Sequence, residues 1–275
     1  MAEEISNLRK LQLTEQKILD IFVDICTKNH LRYYLLGGSL LGAIRHGGFI
    51  PWDDDVDVCM PRKDYDIFLE LADRELSEPY YLACSEHNPE YRYCFARIAN
   101  REVKIKNCSA NIPRIEDAWI DIIPMDGMPE GGLSLVIHKF KLKYWRAANQ
   151  LAQYDELVDQ KRKRRMLESL AVKVAGWRIF RNIFHYPNCI RHIQNELKKY
   201  AYDDYDTVIN YMAAYGFEET FPKRWFQEGA SYHFEDKDYV GPIDYDAVLK
   251  QIYGEYMELP PEDQRNKHNA EIVQI

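Results

Sequence analysis

The sequence contains no Cys-x-x-Cys pair. Its six cysteines stand apart at positions 26, 59, 84, 94, 108 and 189. That spacing excludes the common structural zinc sites and leaves free thiols in a reducing compartment as the simple reading. No run of about eighteen apolar residues occurs, so no stretch reads as a membrane-spanning helix. The first residues, MAEEISNLRKLQL, are acidic and amphipathic and lack a signal-peptide pattern. A cytoplasmic location is therefore expected. Positive charge is also in short supply. Lys and Arg number 36 against 44 Asp and Glu, a net charge of −8, which argues against general nucleic-acid binding. No internal repeat or low-complexity segment is visible. What remains is a chain of 275 residues, 46% hydrophobic, long enough for one large domain or a domain with an appendage.

The stretch from Leu35 to Pro61, LLGGSLLGAIRHGGFIPWDDDVDVCMP, concentrates the chemistry. A hydrophobic run ends in Gly37, Gly38 and Ser39. A short helix, SLLGAIRH, follows. A Gly-Gly turn and Pro51 lead to Asp53, Asp54, Asp55, Val56 and Asp57. Side chains alternate along a strand. If residues 55–60 are extended, Asp55 and Asp57 share one face, while Val56 and Val58 point into a core. Two neighbouring carboxylates repel each other unless a cation neutralises them. Mg²⁺ or Mn²⁺ is the expected cofactor, since hard cations take oxygen ligands and keep places for substrate phosphates. The Gly37–Gly38–Ser39 turn would bring backbone N–H groups at a helix start towards an anion. A phosphate cradle and a carboxylate pair are the parts that phosphoryl or nucleotidyl transfer needs.

Plainer readings compete. Acidic clusters are commonly solvated loops. Asp53, Asp55 and Asp57 also have the one-three-five spacing of a calcium loop, but that loop wants Gly and Glu where Val58 and Asp64 stand. A lone Asp-x-Asp says little. Its combination with Gly-Gly-Ser and apolar alternation says much more.

Along the chain, Ile18, Phe22, Ile25 and Cys26 mark a helix over 14–29, with Thr14 as its expected N-cap. Leu31–Leu36 reads as a strand delivering the Gly-Gly turn. Arg45 and His46 end the next helix. Arg45 is close enough to an anion site to contribute, although a cation at a helix C-terminus has an ordinary electrostatic use. Pro61 suits a first helical position, ahead of a helix burying Tyr65, Phe68, Leu69 and Leu71 or Ala72. Extended segments follow at 80–83, 93–99 and 103–107. Arg97 lies within one of them and either holds a phosphate, the preferred reading, or pairs with a buried acid. Asp121 is the charge inside the apolar run Trp119–Pro124. A buried carboxylate needs a partner, and a metal is expected here ahead of an arginine. Asp121 is also the candidate general base. Asp126 competes with it, in a Pro-Met-Asp-Gly segment that reads as a turn.

Residues 134–200 read as helix-rich. Lys161–Arg165, followed by Leu167, Leu170, Val174 and Trp177, is either a solvated face or an amphipathic contact with an anionic membrane at 161–183. Short strands and a helix in IDYDAVLKQIYGEYM complete the chain.

GGSLLGAIRHGGFIPWDDDVDV resembles the signature of the LicD family, which includes the fukutin-related proteins. WIDIIPMDGMP (119–129) is similar to the family segment supplying a third carboxylate. Residues 239–268 resemble its C-terminal signature, and 131–225 is less diagnostic. The resemblance implies an α/β nucleotidyltransferase fold: a mixed-sheet core over 1–130, a helix-rich region over 131–225, and a segment over 226–275 that packs back to complete the site. It adds the third carboxylate, Asp121, to Asp55 and Asp57, and these three are expected to bind metal and act in catalysis. The residue reading above places the donor near Gly37, Gly38, Ser39, Arg45 and Arg97. Bacterial members of the family move phosphocholine from CDP-choline to teichoic acid or lipopolysaccharide, and eukaryotic relatives transfer groups such as ribitol phosphate to glycans. The expected reaction is therefore metal-dependent transfer of phosphocholine to a hydroxyl of a lipid-linked cell-surface glycan precursor. Transfer of glycerol, ribitol or ethanolamine phosphate, or of a nucleotide, is the alternative within enzymes. A non-catalytic glycan-binding relative is the alternative outside them. The chain's 20 tyrosines suit contact with a choline ammonium, though no particular one stands out.

Overall fold

Helix α1 (Asn7–Lys28) opens the fold. The computed structural model describes residues 6–107, 114–153, 184–262, 265 and 270–274. The apolar stripe expected from Ile18 extends back to Leu11, so the helix begins a full two turns before Thr14. Ser6 is the true N-cap and accepts from Arg9 N at 3.2 Å. Thr14 lies inside the helix and donates to Lys10 O at 3.0 Å. The strand expected over 31–36 shrinks to β1 (Tyr34–Leu35). The reason is local: Leu31 N donates to Cys26 O at 2.9 Å and so completes the end of α1.

Helix α2 (Gly37–His46) follows at once, and then β2 (Asp57–Pro61). Val56 and Val58 are fully buried, as the alternation requires. Pro61 ends β2 and caps α3 (Arg62–Glu75) rather than starting it. Tyr65, Phe68, Leu69 and Ala72 form the buried face of α3.

The sheet is mixed. Strand β3 (Tyr80–Ala83) pairs with β4 (Ala96–Asn107), and β4 pairs with β5 (Arg114–Gly127). The extended segments expected at 93–99 and 103–107 merge into β4, which begins only at Ala96, leaving 93–95 outside it, and whose register shifts between Asn100 and Lys104. Strands β2 and β5 run parallel, while β1–β2 and β4–β5 are antiparallel. Short β6 (Thr207–Ile209) extends from the end of β5, and β7 (Thr220–Pro222) pairs with it.

Helices α4 (Gly132–Ala152) and α5 (Tyr186–Leu197) share a second core of Leu142, Ile190, Ile193 and Leu197. A hairpin, β8 (Ala230–Phe234) and β9 (Lys237–Gly241), buries Phe234 and Tyr239 in the main core. Helix α6 (Tyr245–Tyr253) follows it, and β10 (Ala270–Gln274) pairs antiparallel with β4.

Asp126 is not in a turn. It belongs to β5, is 1% exposed, and accepts from Arg62 Nε at 2.7 Å and Nη2 at 2.8 Å. Pairing of β5 with β6 keeps this segment extended. The membrane-contact segment 161–183 lies outside the described residues. No helix among those described is long and apolar enough to cross a membrane.

Candidate active site

Strand pairing builds the centre of the site. Asp57 opens β2 directly opposite Asp121 on β5. Asp121 N donates to Val56 O at 2.9 Å, which fixes the two strands where their carboxylates meet. Helix α2 closes on the same point. Asp57 N donates to Ser39 Oγ at 2.9 Å, so Ser39 positions β2. The glycines explain themselves by proximity. Gly37 has φ +58°, and a Cβ there would lie 3.2 Å from Asp57 Oδ2. A Cβ on Gly38 would lie 2.5 Å from Asp53 Oδ2. The first turn of α2 therefore presses against two carboxylates. Its N-cap residue, Leu36, makes no side-chain capping bond, which leaves first-turn amides for another acceptor.

The carboxylates are more numerous than the sequence pattern suggested. One carboxylate oxygen each from Asp53, Asp54 and Asp55 lie within 4.8 Å of one another. Glu15 of α1 is 2% exposed and its Oε2 has no hydrogen-bond partner. Burial, followed by repulsion from Asp55, Asp54 and Asp53, pushes the Glu15 carboxyl well above the usual range. Burial and neighbouring aspartates do the same to Asp55 and Asp57. Such a group of crowded acids is a chemical fit for a hard divalent cation, which would offset their repulsion.

Arg97 supplies one compensating charge. Its Nε donates to Asp121 Oδ1 at 2.6 Å. Its guanidinium carbon lies 3.9 Å from the Tyr93 ring centre and 4.0 Å from that of Trp119. The arginine partner, judged the lesser option for Asp121 from sequence, is thus present. Arg97 is held at the carboxylate, where a phosphate contact had been preferred. Asp121 still titrates above the ordinary range, because burial outweighs the pull of Arg97.

A cavity of about 620 Å³ opens over Asp53, Asp55 and Asp57, with Asp121 behind Asp57 rather than in its lining. Gly38, Asp53, Asp55 and Asp57 form its acidic wall. Trp52, Tyr215, Tyr253 and Tyr256 supply an aromatic wall. Arg45 also lines it, and donates to Tyr256 O at 2.7 Å, tying α2 to the segment after α6. A smaller recess joins Asp57 to Tyr253 and Glu219. Glu219 is 3% exposed, and accepts from Asn210 Nδ2 and Tyr215 N, each at 3.0 Å. Burial raises its carboxyl to about 7, against those two hydrogen bonds.

Residues 30–117 match the family described as LicD/FKTN/FKRP, nucleotidyltransferase domain. Over 278 aligned positions the chain is 30% identical to the lipopolysaccharide cholinephosphotransferase LicD of Haemophilus influenzae, covering 98% of each. The chain belongs to the LicD family. It is accordingly a transferase. A stretch of 28 residues is 71% identical to the human ribitol 5-phosphate transferase FKRP, but spans 10% of this chain and 6% of that one.

Glu15, Glu219 and the aromatic wall escaped the sequence reading. Glu15 was accessible in principle, because it sits three residues before Ile18 on the buried stripe of α1. Nothing in the Gly-Phe-Glu-Glu segment marks Glu219, whose role depends on a distant strand.

Proposed function

We propose that this LicD-family transferase moves phosphocholine from CDP-choline to a hydroxyl of a lipopolysaccharide or related cell-surface glycan, using Mg²⁺ or Mn²⁺. The observation that carries the reading is a shared cavity. Asp53, Asp55 and Asp57 share its lining with the aromatic rings of Trp52, Tyr215 and Tyr253. A donor whose central diphosphate carries a quaternary ammonium two carbons beyond it matches a lining that holds carboxylates for a bridging cation and aromatic rings together.

Asp55 and Asp57 would hold the cation, with Asp53 and Asp121 as further ligands. When bound, the cation offsets charge on the transferred phosphate and the departing CMP. Amides at Gly37 and Gly38 would receive a phosphate oxygen. Aromatic rings would orient the choline group by cation–π attraction. Asp121, raised by burial yet steadied by Arg97, would accept the proton of the acceptor hydroxyl. That oxygen forms the new bond to phosphorus as the bond from phosphorus to the CMP oxygen breaks. We place the reaction in the cytoplasm, which suits the free, buried thiols of Cys26, Cys59, Cys84, Cys94 and Cys189.

The test is a thermal-shift panel of CDP-choline, CDP-glycerol, CDP-ribitol and CDP-ethanolamine with Mg²⁺. CDP-choline should protect best. Protection by another CDP-alcohol alone would replace choline while keeping the reaction class. Protection by none would remove the donor assignment.

A further inference from the structure

Helix α4 carries an apolar face that stands exposed among the described residues, with Phe184 touching it only at Tyr144, 6.2 Å between ring centres. Leu133, Val136, Phe140 and Tyr144 are 73%, 62%, 69% and 46% exposed, and Ile137 is 42% exposed. At 3.6 residues per turn these five positions fall within an arc of about 100°. The opposite face is occupied: Leu142 is fully buried and packs with Ile190, Ile193 and Leu197 of α5. The helix is therefore oriented by its core, and the exposed stripe is not an unpacked end. Five of the twelve exposed large hydrophobics among the described residues lie on this one helix. Isolated exposed apolar residues are ordinary, but a continuous stripe of them marks a docking surface.

The charges beside the stripe select the occupant. Lys141 and Lys143 fall on opposite flanks, each about 80° from the stripe's centre line. Lys139 lies further round, on the Lys143 side. Lys141 is 45% exposed and stands 3.8 Å from Glu196, while the ammonium groups of Lys139 and Lys143 lie 5.5 and 5.7 Å from the centre of the Phe217 ring, so that reaching a head group means leaving these loose contacts. The helix has no acidic residue anywhere in its 21 residues. Lysines on both margins of an apolar stripe are the arrangement of a helix lying in a lipid interface, with ammonium groups reaching to head groups while the apolar face enters the acyl boundary. At 1.5 Å per residue the stripe from Leu133 to Tyr144 presents about 17 Å to such a surface.

We propose that α4 lies in the plane of an anionic membrane, inserting Leu133, Val136, Ile137, Phe140 and Tyr144, with Lys141 and Lys143 at phosphate level. This surface is separate from the acidic cavity, and its assignment does not depend on which group the enzyme transfers. It would bring the chain to a lipid-linked substrate.

The experiment uses the full chain and vesicles of phosphatidylglycerol and phosphatidylcholine, read by co-sedimentation. The unmodified protein should bind, and weaken as phosphatidylglycerol is withdrawn or salt is raised. Val136→Ser with Phe140→Ser should abolish binding. Lys143→Gln should reduce the partition coefficient about fivefold, the loss expected for one basic residue at an anionic surface. Both variants should keep the melting temperature and the sedimentation coefficient of the unmodified protein in the absence of lipid. Three results overturn the proposal. In the first, the unmodified chain ignores anionic vesicles, or the serine variant binds them equally. In the second, the unmodified protein sediments as a dimer that the serine variant dissociates, which makes the stripe an interface between copies. In the third, the serine variant melts lower without lipid, which means that the chain itself covers the stripe.

Discussion

Asp57 on β2 and Asp121 on β5 face each other in register across two parallel strands. Arg97, from the strand on the other side of β5, reaches Asp121 at 2.6 Å. The pair is thus asymmetric. Asp121 has a fixed cation, whereas Asp57 faces the cavity with Asp55 and Asp53. Asymmetry of this kind lets two neighbouring carboxylates take different roles, one in holding a cation and one in accepting a proton.

The first prediction follows from that division. Asp121→Asn should reduce transfer by roughly a hundredfold or more, the effect expected for loss of a general base. Donor affinity should fall only modestly. Single-turnover transfer and equilibrium donor binding, measured separately, check this. Normal transfer by Asp121→Asn would end its assignment as the base.

Asp126→Asn should behave in the opposite way. Asp126 is a buried partner of Arg62 and lies outside the cavity. Removing one partner of a buried pair costs about 3–5 kcal/mol. Chemical denaturation should show that loss, while the turnover of the protein that remains folded stays near normal.

The two glycines should separate stability from function. Gly37→Ala places a side chain at φ +58°, a left-handed conformation costing about 1–2 kcal/mol for a non-glycine residue. Gly38→Ala drives a methyl group against Asp53 Oδ2. That carboxylate can swing aside, so the melting temperature should change little. Affinity for Mn²⁺, followed by titration, should weaken. Unchanged Mn²⁺ affinity in Gly38→Ala would remove Asp53 from the cation site.

Glu219 gives a pH signature. Its folded value of about 7 lies above the unfolded carboxylate value. Protonated Glu219 is therefore favoured by the fold, and its stabilisation is complete below about pH 4.5. It is lost as pH rises towards and through 7. Glu219→Gln should remove a component of about 3 kcal/mol from the stability difference between those limits. Glu15, Asp55 and Asp57 shift in the same direction, and Glu219 adds to the shift of Asp57, so the difference from the unmodified protein reports Glu219 together with its effect on Asp57. Identical pH–stability curves would show that Glu219 titrates alike in the folded and unfolded states, and would contradict the upward shift.

Much of this site was legible because local periodicity controls it. Val56, Asp57 and Val58 alternate as a strand demands, and the Gly-Gly pair announces a close approach. Tyr65, Phe68, Leu69 and Ala72 mark the buried face of α3 by helical spacing. Pairing between distant strands was not legible. The meeting of Asp57 with Asp121 depends on β2 lying beside β5, and the capture of Asp121 by Arg97 depends on the register of β4. Asp126 was misread for the same reason: its flanking Pro and Gly suggest a turn, but β6, some eighty residues on, holds the segment extended. Thr14 was misread because the stripe was started at Ile18, although Leu11 continues it towards Ser6. The aromatic wall joins Trp52 to Tyr215 and Tyr253 from three separate regions, a grouping that no local pattern encodes.

The most direct test of metal-assisted phosphocholine transfer follows labelled choline from CDP-choline onto lipopolysaccharide, with release of CMP measured in parallel. It compares the unmodified protein and Asp57→Asn with and without Mg²⁺. The expected result is equal yields of labelled glycan and CMP that require both Mg²⁺ and Asp57. Undiminished transfer in excess chelator, or full activity in Asp57→Asn, would contradict it.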